Sequence, residues 1–365
     1  MTTHGLYVIA EAGVNHNGSI DRALEMVDVA VTAGADAIKF QTFSADRLAS
    51  EDAALADYQR DDREDERTQH DLLKGLELTH DEFARIQRKC EERGITFLST
   101  GFDLDELRFL IAELRIPRIK IGSGDLTFVP LLVAAGESGL PVILSTGMAN
   151  LDEIGRALRF IAAGYAIADG TLERGTRLTA EVLESTWVDR NENRSFESDV
   201  TVLHCTTEYP AAPEALNLRA MTTIAETYGT RIGYSDHSLG TLASTVAVTL
   251  GATVIEKHFT LDKTMEGPDH AASLDPTELA DFVETLRGVD VVLGSPVKEC
   301  QQVEQGNRDV VRRSLIAARP IKAGSVVEEK DVICRRPAAG RSAFEFWDVV
   351  GTPASQDYAP GEYVY

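Results

Sequence analysis

Lysine is scarce in this 365-residue chain: there are nine, against 27 arginines and 59 acidic residues, for a net charge of −23. That charge argues against nucleic acid or an anionic membrane as partner, since both would be repelled. It fits a high-salt cytoplasm, where carboxylates stay hydrated and repulsion is screened; a GC-rich genome explains the arginine excess equally well. Cysteine is also rare. Cys90, Cys205, Cys300 and Cys334 are far apart with no CxxC pair, which indicates reduced thiols rather than a disulfide framework or a thiolate zinc site. No apolar run reaches the ~18–20 residues of a membrane span. The N-terminal MTTHGLYVIAEAG lacks a basic n-region and a cleavage site. There is no P-loop and no GxGxxG, which argues against a nucleotide cofactor. A soluble, cytoplasmic protein is expected.

What is present is alternation. Short apolar runs at 6–12, 37–41, 96–100, 118–121, 142–145, 200–204, 231–235 and 253–258 are separated by helical patterns. The first helix starts at Ser19 as N-cap; others are expected near 80–93, 103–114, 129–138, 151–163, 217–228, 239–250 and 276–292. Eight such units predict an α/β fold, a (β/α)8 TIM barrel over residues 1–293, with a doubly wound sheet as the competing architecture. Two long connections interrupt the pattern. Residues 42–79, with the charged stretch at 57–69, follow the second strand and would lie on the catalytic face as a lid. Residues about 164–199 lie on the opposite face and read as a solvated loop. A polar connector at 294–309 leads to a small β-rich module at 310–365.

Barrel enzymes carry catalytic groups at the C-terminal ends of their strands. Those ends supply Glu11, Lys39, Gln41, Ser99, Thr100, Lys120, Ser123, Ser145, Thr146, His204, Thr206, Ser235, His237, Glu256 and His258. Lys39 and Lys120 sit between apolar neighbours, where an unpaired ammonium is costly. Either they pair internally with Glu11 or Asp125, or with Thr100, Ser123, Ser145 and Ser235 they surround an anion. His237 and His258 end adjacent strands and suit a divalent metal, although the spacing alone is weak evidence. His204 reads as a packed, hydrogen-bonded histidine. Glu11 and Asp269 are the best carboxylates for proton handling or for gripping sugar hydroxyls; Asp125 is an acid–base group or an Asx-turn anchor.

The motifs IAEAGVNHNGS (9–19), IKFQT (38–42), FLSTGFD (97–103), IKIGSGDL (119–126), VILSTGM (142–148), LHCTTEYP (203–210), IGYSDHS (232–238) and IEKHFTLDKTMEGPDHAAS (255–273) occur in this order. Together they resemble the N-acetylneuraminate (sialic acid) synthase family over nearly the whole chain. The tail SLIAARPIKAGSVVEEKDVICRRP (314–337) is similar to the antifreeze-like (SAF) domain of those synthases. The resemblance implies condensation of phosphoenolpyruvate with an N-acetylated amino sugar, N-acetylmannosamine, in a domain-swapped homodimer that uses Mn2+ or Mg2+. It implies that Lys39, Thr100, Lys120, Ser123, Ser145 and Ser235 hold phosphoenolpyruvate and that His237 and His258 hold the metal. Gln41, Tyr209, Asp269 and Arg336 would contact the sugar, with Arg336 reaching a partner's pocket. Glu11, Asp125 and Asp269 would serve the chemistry. Asp125 stands where many members have Glu, and Thr207 where some have Asn; the 164–199 insertion has no recognised counterpart. Legionaminate or pseudaminate synthesis from a diacetamido-trideoxy hexose is the near alternative. A Schiff-base aldolase using Lys39 or Lys120 is the distant one.

Overall fold

The computed structural model describes residues 5–54, 68–192 and 195–365. Among them, eight strands close into a parallel barrel in sequence order. They are β1 (Tyr7–Gly13), β2 (Ala37–Thr42), β3 (Thr96–Gly101), β4 (Ile119–Ile121), β5 (Val142–Ser145), β6 (Val200–Cys205), β7 (Arg231–Asp236) and β8 (Val254–His258). The helices up to β4 are α1 (Ile20–Thr32), the short α2 (Ala45–Leu48) and α3 (Gln69–Leu76), α4 (His80–Arg93) and α5 (Leu104–Ala112). Then come α6 (Val129–Glu137), α7 (Leu151–Ala168), α8 (Ala180–Glu192), α9 (Ser195–Asp199), α10 (Ala220–Tyr228), α11 (Leu242–Thr249) and α12 (Pro276–Leu293). This is the (β/α)8 architecture. Local signals set its punctuation: Ser19 accepts from the Arg22 N–H at the start of α1, and Gly94 ends α4 in the left-handed region.

The pleat decides where chemistry sits, because successive strand side chains face opposite ways. Ile9, Ala37, Leu98, Ile143, Leu203 and Val254 point inward and fill the barrel floor. Val8, Ala10, Ile38, Phe40, Phe97, Leu144, Val202 and Ile255 point outward into the core under the helices. Two residues beyond each floor position, the same strands present Glu11, Lys39, Thr100, Ser145, Cys205 and Glu256, all buried. β7 has Gly233 at floor level. A Cβ there would lie 2.4 Å from the Leu203 side chain and 2.5 Å from the Val254 carbonyl, so only glycine fits. Register then levels the polar ring, with Glu11 opposite both Lys39 and His258, Thr100 opposite Lys120, and Ser235 opposite Glu256.

Lys257, the third strand lysine, obeys the same alternation and points outward. It pairs with Asp236 at 3.0 Å and donates to the Ser238 carbonyl at 2.5 Å. Its role is structural.

The insertion at 164–199 differs from the expected solvated loop. α7 runs on to Ala168, and α8 and α9 occupy much of the remainder. Trp187 and Phe196 are buried edge to face at 4.9 Å, and the Arg190 guanidinium lies 4.8 Å from the Tyr165 ring centre. That buried aromatic contact holds the segment on the barrel. In the connection after β2, α2 and α3 are tied by Asp46 to His70 at 2.9 Å and to Lys74 at 3.1 Å. Most of the charged stretch proposed as a lid lies outside the described residues.

A second compact unit spans Ser295–Tyr365. The polar connector runs into a short helix, α13 (Gln305–Val311). Beyond it, β9 (Ser314–Ala317) and β10 (Val332–Arg335) pair antiparallel over a small core of Leu315, Ile321, Val327, Val332, Val349 and Tyr358. The last helix is α14 (Phe346–Val349).

Candidate active site

The polar ring forms a continuous network. Lys39 Nζ lies 2.8 Å from Glu11 Oε2 and 3.6 Å from Glu256 Oε2, and donates to Thr100 Oγ1 at 3.3 Å. Lys120 Nζ donates to Ser145 Oγ at 2.8 Å and lies 3.5 Å from Glu256 Oε1. Ser235 Oγ donates to that same oxygen at 2.8 Å, and Gln41 Nε2 donates to Glu11 at 3.5 Å. The internal pairing considered for the lysines is thus present, through Glu11 and Glu256 rather than Asp125. Glu256 joins both cations, a position the sequence reading left without a role.

Burial sets the electrostatics, and the neighbours divide the effect. Burial drives the Glu11 carboxyl upward; Lys39 offsets part of this, and Glu256 adds to the rise. Burial also opposes ionisation of Glu256, but Lys120 and Lys39 outweigh it and hold the carboxylate low. Burial would depress Lys39, yet Glu11 and Glu256 raise it. Lys120 stays depressed by burial, with Glu256 countering only in part.

The histidines adjoin this network. The His237 and His258 ring centres are 5.6 Å apart, and Tyr209 stacks on His237 at 4.1 Å. His237 Nδ1 lies 2.7 Å from the Thr206 carbonyl, an acceptor only, so Nδ1 carries the proton and Nε2 presents its lone pair. Tyr209 and Ser235 hydroxyls approach Nε2 at 3.2 and 3.4 Å. Burial lowers His237 to about 4 and His258 well below the ordinary imidazole range, so both rings are neutral at pH 7. His258 Nδ1 is buried, has no hydrogen-bond partner among the described residues, and lies 3.7 Å from Asp269 Oδ2. Burial pushes the Asp269 carboxyl up to about 6.

Neutral imidazoles with available lone pairs are what divalent metal binding requires. Among the described residues no three His, Cys, Asp or Glu side chains converge as a metal cage. The two imidazoles therefore fit a divalent ion that His237 and His258 would hold.

Ser123 Oγ accepts from the Gly147 N–H at 2.9 Å and lies 3.1 Å from Cys205 Sγ. Gly147 permits that approach: a Cβ there would lie 2.2 Å from Thr207 Oγ1. Asp125 Oδ2 is buried without a partner among the described residues, and burial pushes its carboxyl to about 6, with Lys120 opposing. It borders Thr100 and Phe102 around Gly122. His204 faces away from the ring, with Nε2 2.7 Å from the Leu216 carbonyl. Arg336 lies in the second unit, just after β10, and is exposed.

The NeuB family model matches residues 26–298, and the SAF domain model matches residues 312–365. The N,N'-diacetyllegionaminic acid synthase of Legionella pneumophila is 39% identical, over 97% of this chain and 92% of its own length. Human N-acetylneuraminate-9-phosphate synthase is 34% identical, over 89% of this chain and 81% of its own length. The crystal structure of the N-acetylneuraminic acid synthetase from Leptospira borgpetersenii, in complex with citrate, superposes with a TM-score of 0.66 at 32% identity. It covers 83% of this chain and 90% of that one.

Proposed function

The chain belongs to the NeuB family, and from that footing we propose that it condenses phosphoenolpyruvate with an N-acetylated amino sugar, releasing phosphate and a nine-carbon 2-keto acid. The carrying observation is the pair of buried lysines, ringed by hydroxyls and bridged by Glu256, beside two neutral histidines.

Lys39, Lys120, Thr100, Ser123, Ser145 and Ser235 hold the phosphoenolpyruvate anion by charge-assisted hydrogen bonds. His237 and His258 would hold a divalent ion, Mn2+ or Mg2+, which would supply Lewis acidity toward the sugar's carbonyl oxygen. Gln41, Tyr209 and Asp269 orient the sugar so that its aldehyde carbon meets carbon 3 of phosphoenolpyruvate. The enol π pair forms the new C–C bond as the aldehyde C=O π bond breaks. The sugar oxygen takes up a proton, with the Asp269 carboxyl as the candidate donor, and carbon 2 is left cationic, stabilised by the Glu11 and Glu256 carboxylates. Water adds at carbon 2, giving up a proton to a carboxylate, with Glu11 and Asp125 as the candidates. The tetrahedral intermediate then expels phosphate by C–O cleavage. Arg336 completes the sugar site of a partner subunit in a domain-swapped homodimer.

The 39% identity to a legionaminic acid synthase favours a diacetamido-trideoxy hexose over the N-acetylmannosamine suggested by the motifs. Mass spectrometry of the product from phosphoenolpyruvate with each sugar separates the two. With heavy oxygen at the phosphoenolpyruvate bridge, the label is expected in phosphate; label in the keto acid refutes C–O cleavage. Trapping of pyruvate on a lysine by borohydride would instead support an aldolase.

A further inference from the structure

The turn after β1 carries Asn15 and Asn17, to which the proposed chemistry gives no role. Both reach across the barrel mouth to the segment after β8. Asn15 is fully buried, and its Nδ2 donates to the Phe259 carbonyl at 2.8 Å and to Ser273 Oγ at 2.9 Å. Ser273 Oγ in turn donates to the Asp269 carbonyl at 2.6 Å. Asn17 Nδ2 donates to the Glu266 carbonyl at 2.9 Å, and Asn17 Oδ1 accepts from His270 Nε2 at 2.9 Å. That tautomer leaves His270 Nδ1 to accept from the Thr260 hydroxyl at 2.7 Å. The two asparagines therefore hold residues on both sides of Asp269.

Asp269 needs such support. Its side chain is buried, yet among the described residues the carboxylate makes no hydrogen bond of its own, only the 3.7 Å approach to His258. Its direction is set by the main chain that carries it. We propose that Asn15 and Asn17 are positioning residues that fix the Asp269 carboxylate toward the sugar, and so set sugar affinity without touching sugar. This rests on the reading that Asp269 contacts the sugar.

Asn17→Gly tests it cleanly. Asn17 has φ 47°, a conformation glycine adopts freely, so the substitution deletes both side-chain contacts without straining the turn. The sugar KM is expected to rise about tenfold, the loss of one to two hydrogen bonds, while the phosphoenolpyruvate KM stays within about twofold. Asn17→Asp keeps the acceptor for His270 and should recover part of the loss. Hydrogen exchange of the 266–273 amides should accelerate in Asn17→Gly and less in Asn17→Asp. Asp269→Asn, measured alongside, must itself raise the sugar KM. If it does and Asn17→Gly does not, the positioning role is wrong while the sugar contact stands. If Asp269→Asn leaves the sugar KM unchanged, the sugar contact is wrong and the proposal falls with it. Unchanged exchange in Asn17→Gly, or an equal rise of both KM values, also overturns it.

Discussion

Glu256→Gln removes the one carboxylate shared by both buried lysines. Lys39 keeps Glu11 at 2.8 Å, so the loss falls on Lys120, which among the described residues retains the Ser145 hydroxyl and the Ile121 carbonyl. Breaking a buried ion pair from one side costs about 3–5 kcal/mol. Lys120 is already depressed by burial, so it limits the damage by losing its proton, which places the cost near the lower end, about 3 kcal/mol. At roughly 2 °C per kcal/mol for a domain of this size, the apparent Tm should fall by about 6 °C. Phosphoenolpyruvate should stabilise the variant more than it stabilises the parent, because Lys120, regaining its proton as the anion binds, meets the ligand without an internal competitor. Thermal scanning with and without phosphoenolpyruvate, alongside a turnover assay, reads all of this. An unchanged Tm with parental ligand protection would refute the shared ion pair, and parental turnover would remove Glu256 from the chemistry.

Chelation should abolish activity and added Mn2+ or Mg2+ restore it; calorimetric titration of Mn2+ into His237→Ala should show at least tenfold weaker binding, and parental affinity would exclude His237 as a ligand. Burial raises the folded-state Asp269 carboxyl from 3.8 to about 6, so its favourable contribution is present below 3.8 and lost as pH rises through about 6. Asp269→Asn should therefore stabilise the metal-free protein at pH 7.5 by about 2–3 kcal/mol and leave it unchanged at pH 4, a difference denaturant titration at both pH values resolves. Arg336→Ala should raise the sugar KM far more than the phosphoenolpyruvate KM. Mixed with Lys120→Ala it should regain part of its activity, and no recovery despite proven subunit exchange would mean that the tail does not serve a partner's barrel.

The barrel was legible because its signals are local. Short apolar runs and helical patterns recur in strict alternation, and Ser19 caps α1 as its residue type predicts. Much of the polar ring was legible for the same reason, since Glu11, Lys39, Thr100, Ser145 and Glu256 each follow an apolar floor residue by two. Glu256 obeys that rule between Val254 and His258, so the signal for its inward direction was present; its double pairing arises only when the sheet closes. The helical insertion was not legible. In α8 only Thr186 and Trp187 are buried, too few to mark a periodic face, and Trp187 finds Phe196 through tertiary packing. The Asn15 contacts join residues 244 and 258 positions apart, a separation at which no local pattern exists.

The arrangement also explains how so polar a barrel mouth remains folded. Two buried ammonium groups face two buried carboxylates, and hydroxyls of Thr100, Ser145 and Ser235 take up hydrogen bonds that the ions leave over. A site built only to attract an anion would lack Glu256 and would carry the full cost of Lys120 in the absence of substrate. With Glu256 present, an incoming anion must compete with an internal carboxylate for both lysines. Simple anions gain little from that exchange. A ligand that also engages Ser123 and the neighbouring strand-end hydroxyls gains enough, and the charge that holds the empty barrel together then becomes a filter on what fills it.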